Sequence, residues 1–347
     1  MVVLQLGPYP PPHGGVQTNL VAIHRYLQSL GIDSRVINLT RYRQADQDGV
    51  FYPRSGRAVF RLLLGLPHTI AHLHIGGNLA PRLLLLGLVC SWMPGRRSVL
   101  TFHSGGYPDS PEGRTAGRWT LRGFVFRRFD RIICVNRAMV AMFVGKFGVP
   151  ARKVRLIPPH VLPEQVPDVR FPPAIEEFFA RHQPVLLSMG WLEPEYDFPL
   201  QIKALGPVRQ KLPQAGLMIL GAGRLEAEIR RQIAASGLGE HVLLPGDMPH
   251  EMALAAIARA EIFLRTTWYD GDAISVRESL HLGTPVIASD NGMRPPGVRL
   301  IPMKDLPALV EAICAQAQAG KPEPPQPVAD SRENIRAVYE LYREISP

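Results

Sequence analysis

Residues 261–290 read EIFLRTTWYDGDAISVRESLHLGTPVIASD. Ile262 to Arg265 is a short apolar run ending on a charge, the pattern of a strand covered on both faces. A polar loop carrying Asp270 and Asp272 follows, then a stretch of helical periodicity from Ser275 to Leu282 that closes at Gly283. Val286 to Ala288 predicts the next strand. Strand, helix and strand in so short a span describe a crossover between parallel neighbours, because antiparallel partners need only a tight turn.

The same unit recurs in both directions. Towards the N-terminus, strands are predicted at Val2 to Leu6, Ser34 to Leu39, Ile70 to Ile75, Ser98 to Phe102, Arg131 to Val135 and Val154 to Ile157, the first two separated by an amphipathic segment from Val16 to Leu30. From residue 158 the texture changes to PPHVLPEQVPDVRFPP, where prolines forbid regular pairing. A second series then begins with strands at Val185 to Met189, Leu217 to Leu220 and His241 to Leu244, and helices at Leu225 to Ala235 and Met252 to Ala260. After KPEPPQPVAD comes a last amphipathic helix, from about Arg332 to Ile345. The expected fold class is therefore α/β: two Rossmann-like, doubly wound domains facing across a cleft, over residues 1–165 and 166–325, with a closing segment over 326–347.

Composition agrees with two globular cores. The chain has 347 residues, 46% hydrophobic and 20% charged, which excludes a disordered or fibrous protein. Cys90, Cys134 and Cys314 lack metal-ligand spacing and fit a reducing compartment. The opening MVVLQLGPYPPPHGG has no basic region of the kind that starts a signal peptide, and the longest apolar run, Leu83 to Cys90, is too short for a bilayer. A cytoplasmic protein, peripheral on the inner face of the membrane, is the expectation.

Charge is unevenly spread. Residues 1–165 hold 21 lysines and arginines against 7 aspartates and glutamates, whereas the remainder is mildly acidic. Such a half either presents a solvated basic face or meets a polyanion, an anionic membrane surface or nucleic acid. Arg57, Arg61, Arg82, Arg96, Arg97, Arg118, Arg122, Arg127 and Arg128 interleave with Phe60, Leu83 to Leu86, Trp92, Trp119, Phe124 and Phe126 in a pattern suited to a membrane, although many of these apolar residues read more simply as core. No nucleic-acid motif accompanies it, so nucleic acid ranks below the membrane.

Three motifs bear on chemistry. Gly14 and Gly15 lie between the first strand and its helix, where backbone approaches a ligand closely and helix N–H groups favour an anion such as a diphosphate. Gly221-Ala222-Gly223 also follows a strand but lacks the rest of a dinucleotide fingerprint and reads as a strand-to-helix turn. Asp270 and Glu278 fall at the carboxyl end of a parallel sheet, where ligands bind, and carboxylates accept hydrogen bonds from vicinal sugar hydroxyls. Ser275 and Glu278 equally have the spacing of a capping box.

Asp270, seven intervening residues, Glu278, then Gly-Thr-Pro-Val and Ala-Ser-Asp resemble the E-x7-E region of retaining glycosyltransferases of family 4. That family has the GT-B fold, and the resemblance extends to Gly14-Gly15, to TFHS around His103 and to the closing helix, which in the family crosses back to the first domain. It implies that Glu278 binds the nucleotide ribose, Asp270 the donor-sugar hydroxyls and Gly15 the diphosphate, with His103 beside the transferred sugar. A histidine after a strand also serves simply by bonding backbone. Gly190 marks where the family places a diphosphate-binding Arg and Lys, and here Gly190-Trp191-Leu192-Glu193-Pro194-Glu195-Tyr196-Asp197 has neither. Arg265, Arg224, Arg294 or the helix starting near Ser275 would then face the phosphates. Asp270 also replaces the family's usual Glu.

The activity implied is transfer of a sugar, with retention, from a nucleotide-sugar donor to a glycan or lipid-linked acceptor in cell-surface polysaccharide or glycolipid biosynthesis. Retention in this family needs no protein nucleophile. No cofactor and no metal are expected, although Asp270-Gly271-Asp272 imitates a D-x-D metal motif. Rival readings are an epimerase or hydrolase of nucleotide sugars on the same fold, and a GT-B scaffold that binds a partner without catalysis.

Overall fold

Ile70-Ala71-His72-Leu73-His74-Ile75 is buried along its whole length, as a strand must be when helices cover both faces of a parallel sheet. The computed structural model describes residues 1–76, 79–159, 165–269, 273–322 and 332–346, and this strand lies at the centre of its first sheet. The sheet comprises β1 (Val2–Gly7), β2 (Asp33–Asn38), β3 (Val50–Phe51), β4 (Ile70–Ile75), β5 (Arg97–Phe102), β6 (Arg131–Cys134) and β7 (Val154–Leu156). They lie in the order β3-β2-β1-β4-β5-β6-β7, all parallel.

Alternation along each strand builds two cores. Leu4, Leu6, Leu73, Leu100 and Phe102 face Leu86, Cys90, Val125 and Phe126 from the helices Pro81–Trp92 and Leu121–Arg128. Val3, Ile70, Val99 and Ile133 face Ile23 and Leu27 of the helix Gly15–Ser29, together with Val338, Leu341, Tyr342 and Ile345 of the helix Glu333–Ile345. The closing helix thus completes the first unit, which comprises Met1–Val161 and Arg332–Pro347.

The second unit, Leu162–Ser331, repeats the plan. β8 (Val185–Met189), β9 (Gly216–Leu220), β10 (Val242–Gly246), β11 (Ile262–Arg265), β12 (Val286–Ser289) and β13 (Arg299–Ile301) form a parallel sheet ordered β10-β9-β8-β11-β12-β13. One face packs on the helices Phe198–Lys211 and Leu306–Ala319, the other on Pro173–Arg181, His250–Arg259 and Ile274–His281. In each sheet the order reverses beside the first strand, between β1 and β4 and between β8 and β11. Chains leaving those pairs diverge to opposite faces and open a crevice at the carboxyl ends.

Two edge strands escape the sequence pattern. β3 has only two residues, and β13 shows two exposed residues before a buried one, so neither carries an apolar run.

Candidate functional site

In the second unit the loops after β8 and β9 meet backbone to backbone. A Cβ on Gly221, whose φ is +133°, would lie 1.9 Å from the Gly190 carbonyl oxygen, and one on Gly223 would lie 2.6 Å from Leu192 N. A Cβ on Gly190 would fall 2.1 Å from Tyr196 Cε1. Gly190 N donates to Leu220 O at 3.0 Å and Leu192 N to Ala222 O at 3.1 Å, closing the seam. Gly221 and Gly223 are glycines because another loop lies against them, which accounts for the incomplete dinucleotide pattern.

Where the family carries its Arg and Lys the chain has Trp191 and Tyr196, and between them the Glu193 carboxylate accepts from Arg224 Nε. Arg224 is 71% exposed in its side chain, so the pairing leaves it at the solvent. Arg265 and Arg294 converge instead. Arg265, only 8% exposed, closes β11, donates to Met189 O at 2.8 Å and stacks 4.8 Å from the Tyr196 ring. Arg294 Nε donates to Ser289 O at 3.0 Å, and its Nη2 donates to Thr267 Oγ1 at 2.8 Å and to Arg265 O at 3.4 Å. Carbonyl oxygens and the Thr267 hydroxyl thereby orient two guanidinium groups at the carboxyl ends of β8, β11 and β12.

The capping box does not form. The helix begins at Ile274 with Ala273 as N-cap and no side-chain cap, which puts Ser275 inside the first turn, where its carbonyl accepts from Ser279 Oγ at 2.7 Å. Glu278 points elsewhere: its Oε1 accepts from His250 Nε2 at 2.7 Å, and the residue is 1% exposed. Glu278 Oε2 has no hydrogen-bond partner among the described residues. Asp270, with Gly271 and Asp272, lies outside the described residues.

In the first unit, Gly14 caps the helix Gly15–Ser29 in extended conformation with no side-chain cap, and that first turn holds no acidic residue. A Cβ on Gly7 would lie 2.7 Å from Leu20 Cδ1, and one on Gly76 would lie 2.7 Å from Val16 Cγ2. These two glycines let the helix start settle directly on the ends of β1 and β4. His103 follows β5; its N–H donates to Ile75 O at 2.7 Å and its ring stacks on His74, 5.6 Å between centroids. Gly14, Gly15 and His103 are therefore neighbours of one sheet edge. Burial holds the His103 pKa well below its usual value and drives His72 down to about 3, so both rings are neutral near pH 7.

Sequence reasoning did not single out His250, His74 or Gln5. Histidines alternating inside the run IAHLHI were the available signal for His74, since polar side chains repeating at period two in a buried strand need partners. His250 had none, standing as one polar residue among several before a helix.

Residues 13–165 match the family model described as Glycosyltransferase Family 4, and residues 175–299 match the one described as Glycosyl transferases group 1. The chain belongs to the glycosyltransferases of this group 1, family 4 type. A GDP-mannose-dependent alpha-(1-6)-phosphatidylinositol monomannoside mannosyltransferase of Mycolicibacterium smegmatis is 26% identical over 321 residues, 85% of this chain and 81% of the relative. An amylovoran biosynthesis glycosyltransferase of Erwinia amylovora is 24% identical over 72% of this chain and 60% of its own length. Among solved structures, Anabaena HepE with UDP and glucose aligns with a TM-score of 0.73 at 16% identity, covering 99% of this chain and 100% of that one. WaaG, a glycosyltransferase involved in lipopolysaccharide biosynthesis, aligns at 0.67 with 15% identity, covering 99% of this chain and 95% of its own. These neighbours share the GT-B fold.

Proposed function

We propose that the protein moves a sugar from a nucleotide-sugar donor to a glycan or lipid-linked acceptor with retention of configuration, in cell-surface polysaccharide or glycolipid synthesis. The observation that carries this reading is Glu278. A carboxylate that is 1% exposed with one partner among the described residues is costly, and ribose hydroxyls supply donors for its second oxygen. Arg265 and Arg294 take the charge of the leaving diphosphate in place of the missing Arg and Lys. The family resemblance assigns the donor-sugar hydroxyls to Asp270 and a sugar-side role to His103. The acceptor attacks on the face that the diphosphate leaves, so the protein contributes positioning and charge stabilisation rather than a nucleophile.

The reaction on this reading takes place at the cytoplasmic face of a membrane. No described helix is long and apolar enough to cross one. The first unit does expose Trp92, Leu121 and, at 90%, Trp119, with the Arg128 guanidinium 4.5 Å from the Trp92 ring and that of Arg118 5.5 Å from the Trp119 ring. Aromatic rings beside arginines suit an anionic lipid headgroup layer.

The test is a transfer assay with GDP- and UDP-sugars, an extract of lipid-linked acceptors and EDTA. Sugar transfer that survives the chelator is expected. Release of free sugar or an epimer without acceptor would favour the rival enzymes, and nucleotide binding without turnover would favour the scaffold.

A further inference from the structure

A chain of buried polar groups runs from His103 into the first sheet. His103 Nε2 stands 3.3 Å from His74 Nδ1, and His74 Nε2 stands 3.2 Å from Gln5 Oε1. Gln5 Nε2 donates to Ser34 Oγ at 3.3 Å, and Ser34 Oγ lies 2.9 Å from His24 Nδ1. His74 cannot swing away. It is buried, its ring lies 4.0 Å from that of His72, and His72 is itself tied to Thr101 Oγ1 at 2.7 Å and to the Tyr342 hydroxyl.

Donor and acceptor rules fix the protons along this chain. An amide oxygen only accepts, so His74 Nε2 carries a hydrogen. Burial and its histidine neighbours keep His74 neutral, so its Nδ1 is a lone pair. The contact to His103 then requires that His103 Nε2 donate. A neutral ring has one N–H, which leaves His103 Nδ1 as an acceptor, and that nitrogen has no hydrogen bond to any described residue.

We propose that Gln5 and His74 are positioning residues that lock His103 in its Nε2–H tautomer, so that His103 meets a substrate hydroxyl as a hydrogen-bond acceptor and not as an acid. The role towards substrate rests on reading His103 as a sugar-side residue; the tautomer stands without it. With the Gln5 amide turned over, each donor in the chain would reverse and His103 would carry its proton on Nδ1.

The experiment is a two-bond ¹H–¹⁵N correlation spectrum of the full-length protein with labelled histidine, at neutral pH, the His103 signals being assigned by their loss in His103→Gln. A protonated Nε2 and an unprotonated Nδ1 are expected. The opposite tautomer in the wild type overturns the proposal without any variant having to fold. Gln5→Met keeps the side chain's length and removes the acceptor, and should give mixed His103 tautomers. It should also lower the kcat for transfer about tenfold, as for one lost hydrogen bond, at unchanged affinity for nucleoside diphosphate. A folded Gln5→Met protein whose His103 keeps the wild-type tautomer removes the positioning role. The expected tautomer in a protein that transfers no sugar would sink the glycosyl reading and leave the relay standing.

Discussion

Glu278 Oε1 and His250 Nε2 stand 2.7 Å apart, joining the helix Ile274–His281 to the first residue of the helix His250–Arg259. The imidazole fixes one oxygen of a buried carboxylate and so aims the other. This geometry replaces the local cap that the Ser275 and Glu278 spacing suggested.

Glu278→Ala should weaken both nucleoside diphosphate and nucleotide sugar by about 1.5 to 3 kcal/mol, the loss of a charged hydrogen bond. Asp270→Ala should leave nucleoside diphosphate affinity nearly intact while transfer collapses, because the sugar alone loses its pose. Calorimetry beside a transfer assay separates them. Unchanged nucleotide binding by a folded Glu278→Ala protein would refute the ribose assignment.

The glycine seam of the second unit predicts an asymmetry between two alanine variants. At Gly221 the new methyl meets a backbone oxygen at 1.9 Å, whereas at Gly190 it meets the edge of the Tyr196 ring at 2.1 Å. Gly190→Ala should cost about 1 to 3 kcal/mol and be partly relieved by Tyr196→Ala, while Gly221→Ala, blocked by main chain, should resist rescue. Urea unfolding of the two singles and of each combined with Tyr196→Ala measures this. Equal rescue at both positions would contradict the geometry.

Acid should destabilise the first unit. Burial depresses the His72 pKa from 6.5 to about 3 and that of His74 well below 6.5. The unfolded chain then takes up protons that the native state refuses as pH falls below about 6.5, with a loss of about 1.4 kcal/mol per pH unit for each histidine. Stability is fully present above that pH and declines towards pH 3. His72→Gln should flatten the slope of urea midpoint against pH, and an unaltered slope would speak against His72 as a source.

Binding to vesicles of phosphatidylglycerol and phosphatidylcholine should fall steeply with added salt, because arginine contacts to headgroups are screened. Trp119→Ala, at a 90% exposed position, should reduce binding without lowering thermal stability. Sedimentation that is equal with neutral and acidic vesicles would remove the membrane from the proposed function.

Periodicity made the fold legible where strands are long and covered on both faces. Ile70–Ile75, Val185–Met189 and Ile262–Arg265 stand as read, whereas two-residue β3 and half-exposed β13 had no run to show. Of the candidate site, only local placement was legible: Gly14 and Gly15 at a helix start and Glu278 on the helix after β11. Its supports were not, because the 2.7 Å bond from His250 spans 28 positions and the contact of His74 with Gln5 spans 69. Spacing along a chain reports helix faces and turns; it carries no trace of partners that only a sheet or a helix crossing brings together.

The contact between His72 and Tyr342 joins residues 270 positions apart within a single unit. During synthesis the first sheet therefore emerges with one face only partly covered, by the helix Gly15–Ser29, and Val3, Ile70 and Val99 stay incompletely shielded until the whole second unit has been made and Glu333–Ile345 arrives. The chain's first half is the last to be finished, and its nascent form carries apolar surface prone to aggregation while the rest is made.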